Sequence, residues 1–273
     1  MNLWRKISTE RGLNLLRRDV VSWNELRATK DLSGTSFANS QLRERDLTWS
    51  NLDNLDFSGS DFAGADLRGA DLNACDLTGA NFQGADLRGA ILHGATLRLT
   101  NMAGAQLQGA NLTTADLSQI NLRGADLGSA VLRGTYCHYA DFSEANLTWA
   151  DMQSANLSNS TFYKTVLTEA NMSRSNLAHA NFNLALLENT DLNEAFVHDT
   201  IFAALDLGGA KNLDNVLHEP SSMLSIGTDT LINTLRNAGG EFTPDQQVFL
   251  SKGGVSVALL SSIHAPADLM SER

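Results

Sequence analysis

The chain has 273 residues, 42% of them apolar but only 7% aromatic, and it carries a formal net charge of -11. Leu and Ala supply most of the apolar content, which is unlike an ordinary globular core. The charge is segregated, with +4 over residues 1–30, -12 over 31–210 and -3 over 211–273, so the acidity belongs to the middle and direct nucleic-acid binding is not expected.

Residues 1–27 contain no apolar run flanked by a cleavage-type site, and no stretch of the chain approaches a membrane-spanning length, so a cytoplasmic protein without membrane contact is expected. Leu13, Leu16, Val20, Trp23 and Leu26 fall at helical spacing and predict a helix over 9–27, the core of an N-terminal capping segment 1–29. A solenoid needs such a cap, because its terminal coil leaves an open sheet edge. Arg17 and Arg18 on this helix read as a solvated face rather than an anion site.

From residue 30 the sequence repeats with a period of five. Every fifth residue from Leu32 to Leu207 is apolar, 36 positions without an insertion, and all are Leu or Phe except Met102, Cys137, Met152, Met172 and Val197. A small residue, usually Ala, stands two places before most of these, with Asp or Asn between. This period fits neither a helix nor a simple strand, so each unit predicts one short extended side followed by a corner. Four corners close a square. The predicted fold is an all-β solenoid, a four-sided parallel β-helix of about nine twenty-residue coils over 30–210, roughly 43 Å long at about 4.8 Å per coil.

The twenty-residue coil has a tracer in the large side chains. Phe62, Phe82, Phe142, Phe162, Phe182 and Phe202 recur in one column with Leu42, Met102 and Leu122, while the other three columns hold only Phe37 and Phe57. The six share one inward face, where offset stacking of their rings is expected.

Beyond Leu207 the register dissolves into a C-terminal helical extension, 211–273, with helices predicted near 228–237 and 244–251, ended by Gly239-Gly240 and Gly253-Gly254. Pro244 suits a helix start.

The pattern Ala-(Asp/Asn)-(Leu/Phe)-X-X over 30–209 resembles the pentapeptide-repeat protein family, which implies a right-handed quadrilateral β-helix. The segment from Leu231 to Val255 is similar to the linker of bacterial proteins that continue from pentapeptide repeats into a TIR-type signalling domain. The present chain ends where such a domain would begin, so no signalling activity is carried over.

No catalytic or cofactor site is expected. The six histidines are dispersed and no His or Cys pair has ligand spacing along the chain, so no metal site is predicted either; His93, His138, His179 and His198 fall at turn positions and read as exposed. Cys75 and Cys137 are read as small core residues of one column, about 14 Å apart and too far for a disulfide.

The surface is lopsided. In the first half the second corner residue is mostly Gly, whereas from 139 to 204 it is mostly a larger side chain. Outward positions that should be Asp or Asn turn apolar at Val131, Tyr136, Val166, Leu186, Phe196 and Ile201. An exposed apolar patch implies a cover. One expectation is that the C-terminal helices fold back onto coils six to nine; the other is a protein interface built from Tyr136, Tyr139, Trp149, Tyr163, Val166, Leu186 and Phe196. The C-terminal segment is also a candidate dimer surface. The leading functional reading is a non-enzymatic protein-protein interaction scaffold.

The alternative is a DNA mimic acting on DNA gyrase or topoisomerase IV, since Asp46, Asp66, Asp86, Asp126 and Asp206 form one outward acidic column. Magnitude weighs against it: duplex DNA of the same length carries roughly 25 charges at about one per 1.7 Å, twice the repeat region's net of -12.

Overall fold

The computed structural model describes residues 9–219, 224–227, 230–231, 233–234 and 241–255. Two helices, α1 (Thr9–Arg18) and α2 (Val20–Thr29), precede the repeats. Sequence spacing predicts one helix here, but Asp19 interrupts it: its carboxylate accepts the Ser22 N–H at 3.0 Å and caps a second helix.

The repeats wind into a solenoid in which parallel bridges join residues twenty apart, from Ser36 with Asp56 through Asn181 with Ile201 and Asp191 with Lys211. The unit 65–69 shows why. Ala65 N–H donates to Phe62 O (2.9 Å), closing a turn; Asp66 N–H donates back one coil to Arg45 O (2.9 Å); Leu67 and Gly69 N–H donate forward one coil to Asp86 O (2.7 Å) and Arg88 O (3.0 Å). The remaining amide, that of Arg68, is accepted by the Asp66 side chain at 3.2 Å. All five amides of the unit are therefore satisfied, four by backbone and one by the outward side chain.

Corners demand a left-handed residue. Every second corner residue from Gly34 to Ala204 has φ between +48° and +69°, a region where an L side chain costs about 1–2 kcal/mol and Gly costs none.

We label the sides by their central residues: A (Phe62, Phe82), B (Leu67, Leu87), C (Leu72, Leu92) and D (Leu77, Leu97). Ala65 and Leu67 point inward and are buried, as are their equivalents from Leu47 and Ser50 to Leu205 and Leu207; in the first coil Thr35 is half-buried and Arg45 exposed. Face A carries the ring column: Phe62 and Phe82 stack at 4.6 Å, and Phe142, Phe162, Phe182 and Phe202 at 5.0, 4.7 and 5.3 Å, all within 5° of parallel. Where Thr replaces the small inward residue at 100, 165, 190 and 200, its hydroxyl donates to a carbonyl of the preceding coil, as in Thr165 to Phe142 O at 2.7 Å, whereas Thr135 donates to Leu132 O at 2.8 Å within its own coil.

Both ends are closed by aromatic side chains. Trp23 packs edge-on against Phe37 at 5.7 Å, and Gly12 leaves room for the Phe37 ring, which would lie 2.9 Å from a Cβ there. The α2 side chains take over bonds that a preceding coil would have made: Trp23 Nε1 donates to Asn51 O (2.7 Å), Asn24 Oδ1 accepts the Asn51 N–H (2.8 Å) and Arg27 donates to Asp53 O (2.8 Å). Arg17 donates to Gln41 O at 3.3 Å, so it belongs to the cap.

At the other end parallel pairing continues past Leu207 with residues inserted. Strand β1 (Phe196–Val197) pairs with β3 (Leu217–His218), an offset of 21, and β2 (Ile201–Phe202) with β4 (Ser225–Ile226), an offset of 24. Helix α3 (Pro244–Lys252) starts at a capping box of Thr243 and Gln246 and lies over the end of the rod. Its Phe249 meets Phe202 edge-on at 5.6 Å, and Lys252 Nζ donates to Asp214 O at 2.7 Å. Of the helix predicted near 228–237, residues 230–231 and 233–234 are described and helical; the rest lies outside the described residues. Among the described residues no helix is long and apolar enough to cross a membrane.

Phe162→Ala, inside the stack, is expected to lower stability by about 3–5 kcal/mol, and Phe142→Asp to unfold the middle of the rod by burying an unpaired carboxylate. Urea titration followed by circular dichroism reads both, and wild-type midpoints would refute the inward column.

Candidate functional interface

The solenoid constrains its outward side chains tightly. The Asp or Asn before each centre accepts the amide two residues on, as Asp116 does from Ser118 (3.0 Å), Asn146 from Thr148 (3.1 Å) and Asp191 from Asn193 (2.9 Å). An apolar residue there forfeits a bond of about 0.5–1.5 kcal/mol and exposes carbon to water. Bulky corner residues carry the left-handed cost as well. Departures from the pattern therefore mark surface retained against local stability.

The pairing register sorts the predicted interface residues onto different edges. Val166 bridges Leu186 on face B. Tyr163 lies just before the edge between faces A and B, and Leu184 occupies that edge in the next coil. Leu184 is 42% and Leu186 51% exposed, and Val166 and Tyr163 are half-buried, with Lys164 Nζ 5.2 Å above the Tyr163 ring. Leu186 continues into a groove of about 610 Å³ bordered by Glu188, Gly209, Thr243 and Gln246. Leu184 is missing from the sequence prediction, although its place beside Leu186 follows from the five-residue period.

The other residues lie elsewhere. Tyr136 (58% exposed) and Phe196 are on face D, and Tyr139 (59%) at the edge between D and A. Trp149 (66%) sits ten residues from Tyr139, half a coil away and so at the diagonally opposite edge. Val131 and Ile201 are half-buried on faces C and A. The seven residues do not form one patch. Nor is the decoration confined to the second half: Trp49 is exposed with its ring against the Gly69 backbone, and Leu99 and Ile91 are exposed too. Helix α3 packs against Phe202 at the end of the rod, and Tyr136, Tyr139, Trp149, Leu184 and Leu186 are exposed; most of the other C-terminal helix expected to fold back lies outside the described residues.

The acidic column occupies face B, where Asp46, Asp66, Asp86 and Asp126 line up with Gln106 between the last two. Its charge is consumed locally. Arg68 bridges Asp66 at 2.6 Å and Asp86 at 3.8 Å, Arg88 bridges Asp86 at 2.6 Å, and Gln108 and Asn146 donate to Asp126 at 2.7 and 3.0 Å. Asp46 and Asp206 accept the amides of Thr48 (3.1 Å) and Gly208 (2.7 Å). Hydrogen bonds from Arg68 and Arg88 hold the Asp66 and Asp86 carboxyls below the ordinary carboxylate range.

The thiols are chemically quiet. Burial pushes Cys75 and Cys137 up to about 12, so neither supplies a thiolate at neutral pH. They share face D but not a column, which corrects the sequence reading: Cys75 holds the small-residue position before Leu77, and Cys137 a central position.

Histidines dispersed along the chain do meet across coils. His179, His198 and Asp199 bring one ligand atom each to within 4.8 Å of one another at the edge between D and A. Ligand spacing read along the chain misses this group; a separation of one coil, 179 to 199, is the signal that finds it. His138 and His198 are half-buried rather than exposed, whereas His93 and His179 are exposed.

Asp66 and Asp86 ionise in the fold below their unfolded value of about 3.9. Their contribution is thus complete above that value and lost as pH falls through the lower folded values. An Asp66→Asn/Asp86→Asn variant keeps the amide-accepting oxygen, so its melting temperature is expected to fall less than that of wild type below about pH 4; parallel acid limbs would remove these pairs as a source of stability.

No curated protein matches the chain. Among solved structures it is similar to HetL, a pentapeptide repeat protein involved in heterocyst differentiation regulation from the cyanobacterium Nostoc sp. strain PCC 7120, at 29% identity over 69% of this chain and 82% of that one, with a TM-score of 0.51. It also matches QnrB1, a plasmid-mediated fluoroquinolone resistance protein, at 18% identity over 76% of this chain and 97% of that one, TM-score 0.42. A third match is Rfr23 from the cyanobacterium Cyanothece 51142, at 34% identity over 33% of this chain and 58% of that one, TM-score 0.26. The sequence profile described as pentapeptide repeats (8 copies) matches residues 40–79 and 80–119, and that described as a pentapeptide repeat region matches 105–182. With the five-residue unit and its amide-capping side chain described above, these matches make the chain a member of the pentapeptide repeat family, whose fold is a right-handed β-helix.

Proposed function

We propose that the protein is a non-enzymatic protein-protein interaction scaffold, a rigid rod that docks a partner along the edge between faces A and B. The observation that carries this reading is the adjacency of Val166 and Leu186 in a column whose other described members are polar, flanked by Leu184 in a left-handed corner. Three residues in one place give up local stability and expose apolar surface. The return is recovered when a partner covers it. The likeness to HetL, a protein of differentiation regulation, agrees with action through binding. Two buried free cysteines fit a reducing cytoplasm.

Pairing of Arg68 and Arg88 with the acidic column withdraws support from the DNA-mimic alternative. Purified protein at micromolar concentration is expected to leave gyrase supercoiling and its quinolone sensitivity unchanged; inhibition or protection would restore that alternative.

The docking edge can be tested by restoring the family pattern. Val166→Asn/Leu184→Gly/Leu186→Asn returns two amide acceptors, each about 0.5–1.5 kcal/mol, and relieves a strained corner by about 1 kcal/mol. The variant is expected to melt higher than wild type and to lose its co-purifying partner. An unchanged partner set in a folded variant would sink this edge. Light scattering of both forms separates a foreign partner from a second copy of the chain.

A further inference from the structure

We propose that His179, His198 and Asp199 form a binding site for a divalent transition-metal ion of the zinc class. The three residues come from two successive coils. His179 and Asp199 occupy the same corner position one coil apart, with φ of +59° and +48°, so both side chains project from the edge between faces D and A. His198 immediately precedes Asp199 and leans across to meet them.

The geometry is close to a coordination sphere. Asp199 Oδ2 lies 3.6 Å from His198 Nε2 and 4.0 Å from His179 Nδ1. All three ligand atoms lie within 4.8 Å of one another, whereas tetrahedral ligands bonded at about 2.0–2.1 Å stand about 3.3 Å apart, so the side chains complete the sphere by drawing together by less than about 1 Å each. The backbone supports this arrangement: the His179 N–H donates to His198 O at 2.7 Å, and the two rings pack edge to face at 4.9 Å. Ligation through His198 Nε2 places the ring proton on Nδ1, which is buried and makes no protein hydrogen bond.

Ligand type sets the ion. Two imidazoles and one carboxylate suit zinc, nickel or copper, whereas magnesium and calcium require oxygen ligands. His179 and Asp199 are exposed, which leaves the remaining position open to water or to a side chain of a docked molecule. Because the donors come from two coils, the ion is a cross-strut between them and binds the folded chain alone.

The test uses the untagged full chain. Calorimetric titration with zinc chloride is expected to saturate with a site that magnesium chloride does not fill, and zinc to raise the melting temperature. His179→Gly, His198→Ala and Asp199→Gly are each expected to weaken that site at least tenfold and abolish the thermal shift. Gly is unstrained at both corners, and circular dichroism verifies that the variants fold. His93→Ala, on another face, is expected to bind as wild type does. Absence of zinc binding by the wild type, or equal binding by the three variants, would overturn the proposal.

Discussion

One amide in each five-residue unit has no carbonyl to pair with, and the side chain two places before it has to supply the acceptor. From this follow the Asp and Asn that fill the outward columns, and with them the acidity of the whole middle segment. Since the carboxylates are there to hold the backbone, negative charge is a by-product of winding, and the arginines of face B trim it. A high count of acidic residues in such a rod carries little information about what it binds. An apolar residue in the same column carries much more, because it abandons a structural duty.

The interior obeys a second constraint. A square of four short sides leaves space for one large side chain per side, and the rings of face A fill their share by stacking on the next coil. Termination then becomes a matter of what meets the last ring. Trp23 and Phe249 are drawn from helices at opposite ends of the chain, yet each presents a ring edge to the first or last member of a phenylalanine series. Asn24, Arg27, Thr230 and Thr234 supply side-chain partners to exposed coil edges, Thr234 Oγ1 accepting the Leu207 amide at 3.1 Å.

Much of this was legible before any coordinates, because period five and the recurrence of Phe every twenty residues are imposed by packing and survive in the letters. The break between α1 and α2 was harder to read, since the apolar spacing runs straight through Asp19 and only its capping of Ser22 divides the helix. The interface illustrates a different difficulty. Tyr139 and Trp149 look like neighbours in a list, yet ten residues is half a circuit and sends them to opposite edges, while Val166 and Leu186, twenty apart, touch. The histidine group was hidden for the same reason: chemistry on a solenoid is assembled along the axis, at intervals that ordinary ligand motifs never use.

The constant step of twenty residues also acts as an angular clock. Because each unit advances the chain by a quarter of a circuit, the direction in which the Val166 and Leu186 edge faces, relative to α1 and α2, is set by the number of units between them and by nothing else. Gain or loss of a whole coil would move that edge along the rod and preserve its bearing. A single unit gained or lost would instead swing it to the adjacent side, so unbroken counting over the repeats, rather than the identity of any one of them, aims the surface.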